Sequence, residues 1–125
     1  MRFLLDSHLP RALAEGLIRH DLDAVELSKW RGGDYRSALD ALVLRAAYLE
    51  RRVLVSFDCR TIPPLLKELA EAGEHHTGVV FISSRTFRSD DVGGLLEALR
   101  RLAAQGGGDW EDVIVFLRRG QTGLR

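Results

Sequence analysis

Val53-Leu54-Val55-Ser56-Phe57-Asp58 is a run of strand-forming side chains closed by a carboxylate. An apolar run of this length fits a strand buried on both faces, the situation in a parallel sheet. Working back from it, Ser37 to about Arg51 reads as a helix with an apolar stripe of Leu39, Leu42, Val43, Ala46 and Leu49. Ser28 to Arg36, with Gly32-Gly33 at its centre, has loop composition. Ala24-Val25-Glu26-Leu27 reads as a strand. Pro10 suits the first turn of a helix that carries Leu13, Leu17 and Ile18 and ends near His20-Asp21. Before it, Phe3-Leu4-Leu5 is a second buried strand closed by aspartate, Asp6. Working forward, Pro63-Pro64 opens a helix to about Ala72, and Val79-Val80-Phe81-Ile82 is a fourth strand. A helix over about 90–104 turns Leu95, Leu96, Leu99 and Leu102 inward, and Val113 to Leu117 is a fifth strand.

The order β-α-β-α-β-α-β-α-β predicts an α/β domain, a three-layer αβα sandwich around a mostly parallel five-stranded sheet. The domain is expected over residues 1–118, with Gly106-Gly107-Gly108 as a loop and 119–125 as a flexible C-terminal tail. With 125 residues and 46% hydrophobic content, the chain has enough apolar side chains for one core. The formal net charge is zero, which counts against bulk electrostatic coating of nucleic acid but not against a local basic rim around an acidic pocket. There is one cysteine, Cys59, so no intrachain disulfide forms. The apolar run at the N-terminus is broken by Asp6 and is too short for a signal or a membrane span. These features predict a cytoplasmic protein with no membrane partner.

In an open parallel sheet ligands bind beyond the carboxyl ends of the strands, where the strand order reverses. In the common order 2-1-3-4-5 the first and third strands are neighbours at that point, about 4.8 Å apart. Asp6 and Asp58 end those two strands, so their carboxylates are placed to share a hard cation such as Mg²⁺ or Mn²⁺. The plainer reading of each is a turn former or helix cap. Asp40 lies in the first turn of the next helix, where a carboxylate favours the helix dipole. Asp34 in the Gly-Gly loop is a weaker acidic candidate. No Gly-rich phosphate loop follows the first strand, which argues against a mononucleotide or dinucleotide binder.

Several motifs carry a resemblance to a known family. Leu4-Leu5-Asp6-Ser7-His8-Leu9-Pro10, Arg52-Val53-Leu54-Val55-Ser56-Phe57-Asp58 and Gly78-Val79-Val80-Phe81-Ile82 stand in order along the chain. With Arg60-Thr61-Ile62-Pro63 and Trp110-Glu111-Asp112, they resemble a PIN-like family of unknown function that is related to toxin-type PIN ribonucleases. The resemblance spans nearly the whole chain. It implies a metal-dependent ribonuclease site, with Asp6 and Asp58 as ligands of Mg²⁺ or Mn²⁺ and Asp40, eighteen residues before Asp58, as a third acidic member. It also implies RNA as substrate, a cognate antitoxin-like protein as partner, and a homodimer. Ser7 or Thr61 is then expected to contact phosphate or metal-bound water.

Two positions depart from the family. Ser7-His8 stands where many members have Glu-Asn or similar, and Arg60 where many have a second aspartate. The acidic count is therefore three at most, which favours one metal over two and gives weight to a rival reading, a non-catalytic PIN-like module that binds a protein or RNA partner. A receiver-like regulator is a weaker reading, since the first strand ends in a single aspartate and the last runs into Arg118-Arg119 rather than a lysine. His8 next to the site is either an acid–base group or a solvent-facing residue. Trp30, Arg31, Tyr35, Arg36 and Arg60 are expected to form a basic-aromatic rim for phosphate and unpaired bases, or else Trp30 and Tyr35 pack the loop or form a partner interface. His75-His76 reads as a solvated loop with no third metal ligand nearby in sequence, and Cys59 as incidental.

Overall fold

The computed structural model describes residues 1–106 and 108–120. Five strands, β1 (Arg2–Leu5), β2 (Asp23–Glu26), β3 (Val53–Ser56), β4 (Val79–Phe81) and β5 (Ile114–Phe116), form one sheet. Four α-helices connect them: α1 (Arg11–Arg19), α2 (Asp40–Glu50), α3 (Ile62–Glu71) and α4 (Val92–Gln105). All strand pairs are parallel and the order is β2-β1-β3-β4-β5, the α/β arrangement expected from the alternation. Among the described residues no helix is long and apolar enough to cross a membrane. Residues 121–125 and Gly107, parts of the expected tail and glycine loop, lie outside the described residues. Arg119, placed in that tail, donates to the Thr86 carbonyl and to Asp91.

The strand period of two sorts the core into two layers. Phe3, Leu5, Val53, Val55 and Val80 point to the face covered by α1 and α4, against Leu13, Leu17, Leu95 and Leu99. Leu4, Leu54, Val79 and Phe81 point to the opposite face, against Val43, Leu44, Ile62 and Leu66 of α2 and α3. The two helices on the first face meet closely at Gly16, where a Cβ would stand 3.0 Å from Leu96 Cδ2. In α1 the expected Leu13 and Leu17 are buried but Ile18 is exposed, and α2 departs further. That helix begins at Asp40 and buries Val43, Leu44, Ala46 and Ala47, while Leu39, Leu42 and Leu49 of the expected stripe are exposed. The helix is apolar on most of its circumference, so periodicity does not choose between faces about 100° apart.

The Gly-Gly loop contains a short 3-10 turn over Trp30–Gly33, and it does not form a rim. Trp30 is buried in the α2/α3 layer, stacks on Tyr35 at 4.9 Å between ring centroids, and donates its indole N–H to Glu50 at 3.0 Å. Arg31 pairs with the same carboxylate. Glu50 ends α2 at the amino edge of the sheet, ten residues and about 15 Å from Asp40. Trp30 and Tyr35 therefore pack the loop against the sheet, one of their expected roles.

Candidate functional site

The β1 ladder continues one residue past the strand, where the Asp6 N–H donates to the Val55 carbonyl at 3.0 Å. This places Asp6 beside the end of β3, at the reversal of strand order. Asp6 Oδ1 accepts the Ser7 N–H at 2.8 Å, and Oδ2 accepts the hydroxyl of Ser56 at 2.5 Å. Ser56 is the last residue of β3 and is fully buried. Its oxygen also accepts the Asp58 N–H at 2.9 Å. One hydroxyl thus couples the two strand-end aspartates. Ser56 is a site residue beyond those expected from the sequence; its hydroxyl inside an otherwise apolar strand is the signal for it, since a buried hydroxyl without a partner is costly.

Asp58 closes a turn into α3. Its Oδ1 accepts the N–H groups of Arg60 at 3.1 Å and Thr61 at 2.9 Å, and its Oδ2 accepts the Thr61 hydroxyl. These donors, the Thr61 hydroxyl foremost, hold the Asp58 carboxyl below its usual range, with further help from the Arg60 guanidinium. Asp40 behaves oppositely. Burial at the start of α2 raises its carboxyl above the usual value, and the negative charges of Asp6 and Asp58 raise it further. Residues at the ends of β1 and β3 therefore reach Asp40 at the start of α2 with their charges.

The remaining candidates surround this point unevenly. Ser7 and His8 are exposed, and His8 lines a cleft of about 580 Å³ with Phe57, Asp58, Ser84 and Ser89. Ser84 and Ser89, from the segment after β4, were not singled out in the sequence. Thr61 is committed to Asp58 through both its N–H and its hydroxyl, so it shapes the carboxylate directly. Arg60 is exposed beside Asp58. Arg36 is exposed, and its guanidinium folds back against Gly33, 3.7 Å from where a Cβ would stand. Burial and the adjacent Asp58 both push the Cys59 thiol up.

An all-oxygen set of Asp6, Asp40 and Asp58 has the donor chemistry that Mg²⁺ and Mn²⁺ prefer. Among the described residues, however, the trio of metal-ligating groups whose atoms all lie within 4.8 Å of one another is a different one, His75, Glu111 and Asp112. Of the two histidines expected in a solvated loop, His75 is exposed and His76 is not. His76 is 5% exposed, and burial pushes its imidazole pKa down.

No protein-family model, curated protein or solved structure matches this chain. The likeness to PIN-like proteins therefore stands on the motif residues alone.

Proposed function

We propose that the chain is a metal-dependent ribonuclease-like protein that hydrolyses RNA phosphodiesters, acting as the toxin of a toxin–antitoxin pair. The observation that carries the catalytic part is the pair of strand-end aspartates, Asp6 and Asp58, joined through the Ser56 hydroxyl at the switch point, with the Asp40 carboxyl raised by burial and by their charges. Like charges gathered at the switch point of an α/β sheet cost free energy unless a cation neutralises them. Asp6 and Asp58 are the proposed ligands and Asp40 the third acidic member. A bound Mg²⁺ or Mn²⁺ supplies a polarised water and neutralises charge on the phosphate. The protein's own part is to hold the carboxylates. Ser56 fixes Asp6 relative to Asp58, and the Thr61 and Arg60 donors keep Asp58 ionised. Arg60 and His8 stand at the rim, where a phosphate would meet a guanidinium and an imidazole. The toxin role, and an antitoxin-like protein as partner, follow from the motif resemblance.

The test is cleavage of a single-stranded RNA with Mg²⁺ or Mn²⁺ by the parent chain and by Asp6→Ala and Asp58→Ala. Each substitution is expected to lower the rate at least 100-fold. Absence of cleavage in the parent, or cleavage that survives both substitutions, sinks the enzymatic reading.

One feature favours the rival, a binding module without catalysis. Both Asp58 oxygens are already satisfied within their own turn, and Arg60 occupies the place of a further acid. Under that reading Mg²⁺ and Mn²⁺ titrations show no affinity that depends on Asp6 or Asp58.

A further inference from the structure

We propose that His75, Glu111 and Asp112 form a second cation site, for a divalent first-row transition metal such as Zn²⁺, at the amino end of the sheet. It is independent of the carboxylates at the carboxyl end. The segment before β4 brings His75, and the segment before β5 brings Glu111 and Asp112. One atom of each lies within 4.8 Å of the others. His75 Nδ1 is 2.6 Å from Asp112 Oδ2 and 3.9 Å from Glu111 Oε2. Ligand atoms on a common Zn²⁺ lie about 3.0–3.4 Å apart, given bonds of about 2.0–2.2 Å. Opening one gap and closing the other by about half an ångström reaches that spacing, through rotations of side chains that are all partly exposed.

Both carboxylates are oriented from outside the trio. Glu111 Oε1 accepts the Tyr48 hydroxyl at 2.7 Å and lies 3.6 Å from Arg51, leaving Oε2 turned toward His75. Asp112 Oδ1 accepts the His76 N–H at 3.2 Å, leaving Oδ2 turned toward His75. Held on one oxygen and presenting the other, each carboxylate has the outer support that fixes metal ligands.

The second observation is His76. Its side chain is 6% exposed, and its Nε2 faces Asp112 Oδ1 at 3.9 Å, beyond hydrogen-bond distance. Its Nδ1 accepts the Gly78 N–H at 3.0 Å, so the neutral ring carries its proton on Nε2. The side chain is thus nine-tenths buried, and its Nε2 stands 3.9 Å from Asp112 with no acceptor within hydrogen-bond distance among the described residues. A metal-bound water or carboxylate drawn inward supplies one, and His76 is accordingly a supporting donor rather than a ligand.

The frame around the cluster is fixed by backbone. The Asp112 N–H donates to the His76 carbonyl at 2.9 Å, and the Val79 N–H to the Val113 carbonyl at 2.9 Å. Gly78 has φ +104°, and a Cβ there would stand 2.9 Å from Trp110, so only glycine lets the two segments close this far. One imidazole and two carboxylates, with open positions for water, select Zn²⁺ or its neighbours over Mg²⁺. Metal bound there ties edge strand β5 to β4.

Isothermal titration of the full, tag-free, chelator-treated chain with ZnCl₂ tests the proposal. One Zn²⁺ is expected to bind, with affinity at least tenfold lower in His75→Ala and in Asp112→Asn and unchanged in Asp58→Asn. Asparagine keeps an acceptor for the His76 N–H and tolerates the positive φ of residue 112. Circular dichroism of each variant confirms that it is folded before titration. Co²⁺ substitution adds a readout of the ligand set, since an absorption band that survives His75→Ala places the ion elsewhere. No saturable Zn²⁺ binding, affinity unaltered by His75→Ala, or binding lost in Asp58→Asn overturns the proposal. RNA cleavage enters none of these outcomes, so this site and the proposed ribonuclease function fail separately.

Discussion

The two ends of the sheet differ in one carboxylate, Asp40, which has no donor or cation among the described residues to offset its burial. At the carboxyl end, Asp6 and Asp58 accept from the Ser56 and Thr61 hydroxyls, while burial and the charges of those two aspartates all raise the Asp40 carboxyl. At the amino end, four carboxylates meet a cation or a donor. Asp23 takes Arg2 and Arg52, Glu50 takes Trp30, Arg31 and Arg52, Glu111 takes Tyr48 and Arg51, and Asp112 takes His75. Helix α2 spans the difference, with Asp40 at its first residue and Glu50 at its last. Charges that are neutralised internally stabilise the fold. Charges left opposed make it ready for a ligand at some cost in stability.

If this contrast is right, the largest stability loss belongs to the amino end. Burial works against the ionised Glu50, but hydrogen bonds from Trp30, Arg52 and Arg31 outweigh it and hold the carboxyl at about 2. Glu50→Ala removes the acceptor of a buried indole and leaves the nearly buried Arg52 with fewer partners. The expected loss is about 2–4 kcal/mol in urea unfolding. The folded-state pKa is depressed, so the stabilisation is complete above the ordinary value of 4.5 and fades as pH falls toward about 2. Unfolding midpoints of the parent should therefore drop more steeply over that window than those of Glu50→Gln. Equal slopes would remove Glu50 as the hub of that end.

A smaller loss is expected where the two strand ends join. Ser56→Ala takes the donor from Asp6 Oδ2 and the acceptor from the Asp58 N–H. About 1–2 kcal/mol should be lost. Mn²⁺ affinity should fall with it, because Asp6 and Asp58 are then positioned independently. A variant as stable as the parent with unchanged Mn²⁺ affinity would show that the hydroxyl does not couple the two aspartates.

The carboxyl end was largely legible in the sequence, and the amino end was not, for a physical reason. Asp6 and Asp58 close apolar runs, and their contacts are with residues one to three positions away or across one strand pair, so strand order alone brings them together. Asp40 was reached by its spacing from Asp58 in the family resemblance. No local pattern marks it, since any carboxylate at a helix start reads as a dipole partner. The amino-end cluster pairs His75 with a residue 37 positions later, and Trp30 with one 20 positions later. Such pairings follow from how loops return across the sheet, which hydrophobic periodicity does not encode. The same limit applies to α2, where an apolar sequence on most sides left Leu39, Leu42 and Leu49 assigned to the core when they face outward.

The smallest effect is the sharpest discriminator, because its sign differs between the two ends. Asp40→Asn removes a charge from a like-charged group and should stabilise the metal-free protein by about 0.3–1 kcal/mol at neutral pH. The sign follows from linkage. The folded-state carboxyl of Asp40 is raised above its ordinary 3.8, so ionisation opposes folding, and stability is lost as pH rises from 3.8 through the raised folded value. Asparagine abolishes that loss, so parent and variant should converge below the ordinary value and separate above it. Asp112→Asn should not stabilise, because it discharges the partner of His75 rather than a repelling neighbour. Mn²⁺ or Mg²⁺ in excess should reverse the ranking at the carboxyl end, stabilising the parent more than Asp40→Asn. If Asp40→Asn instead weakens the metal-free fold at neutral pH, Asp40 serves the first turn of α2 as a dipole partner, and the acidic site shrinks to Asp6 and Asp58.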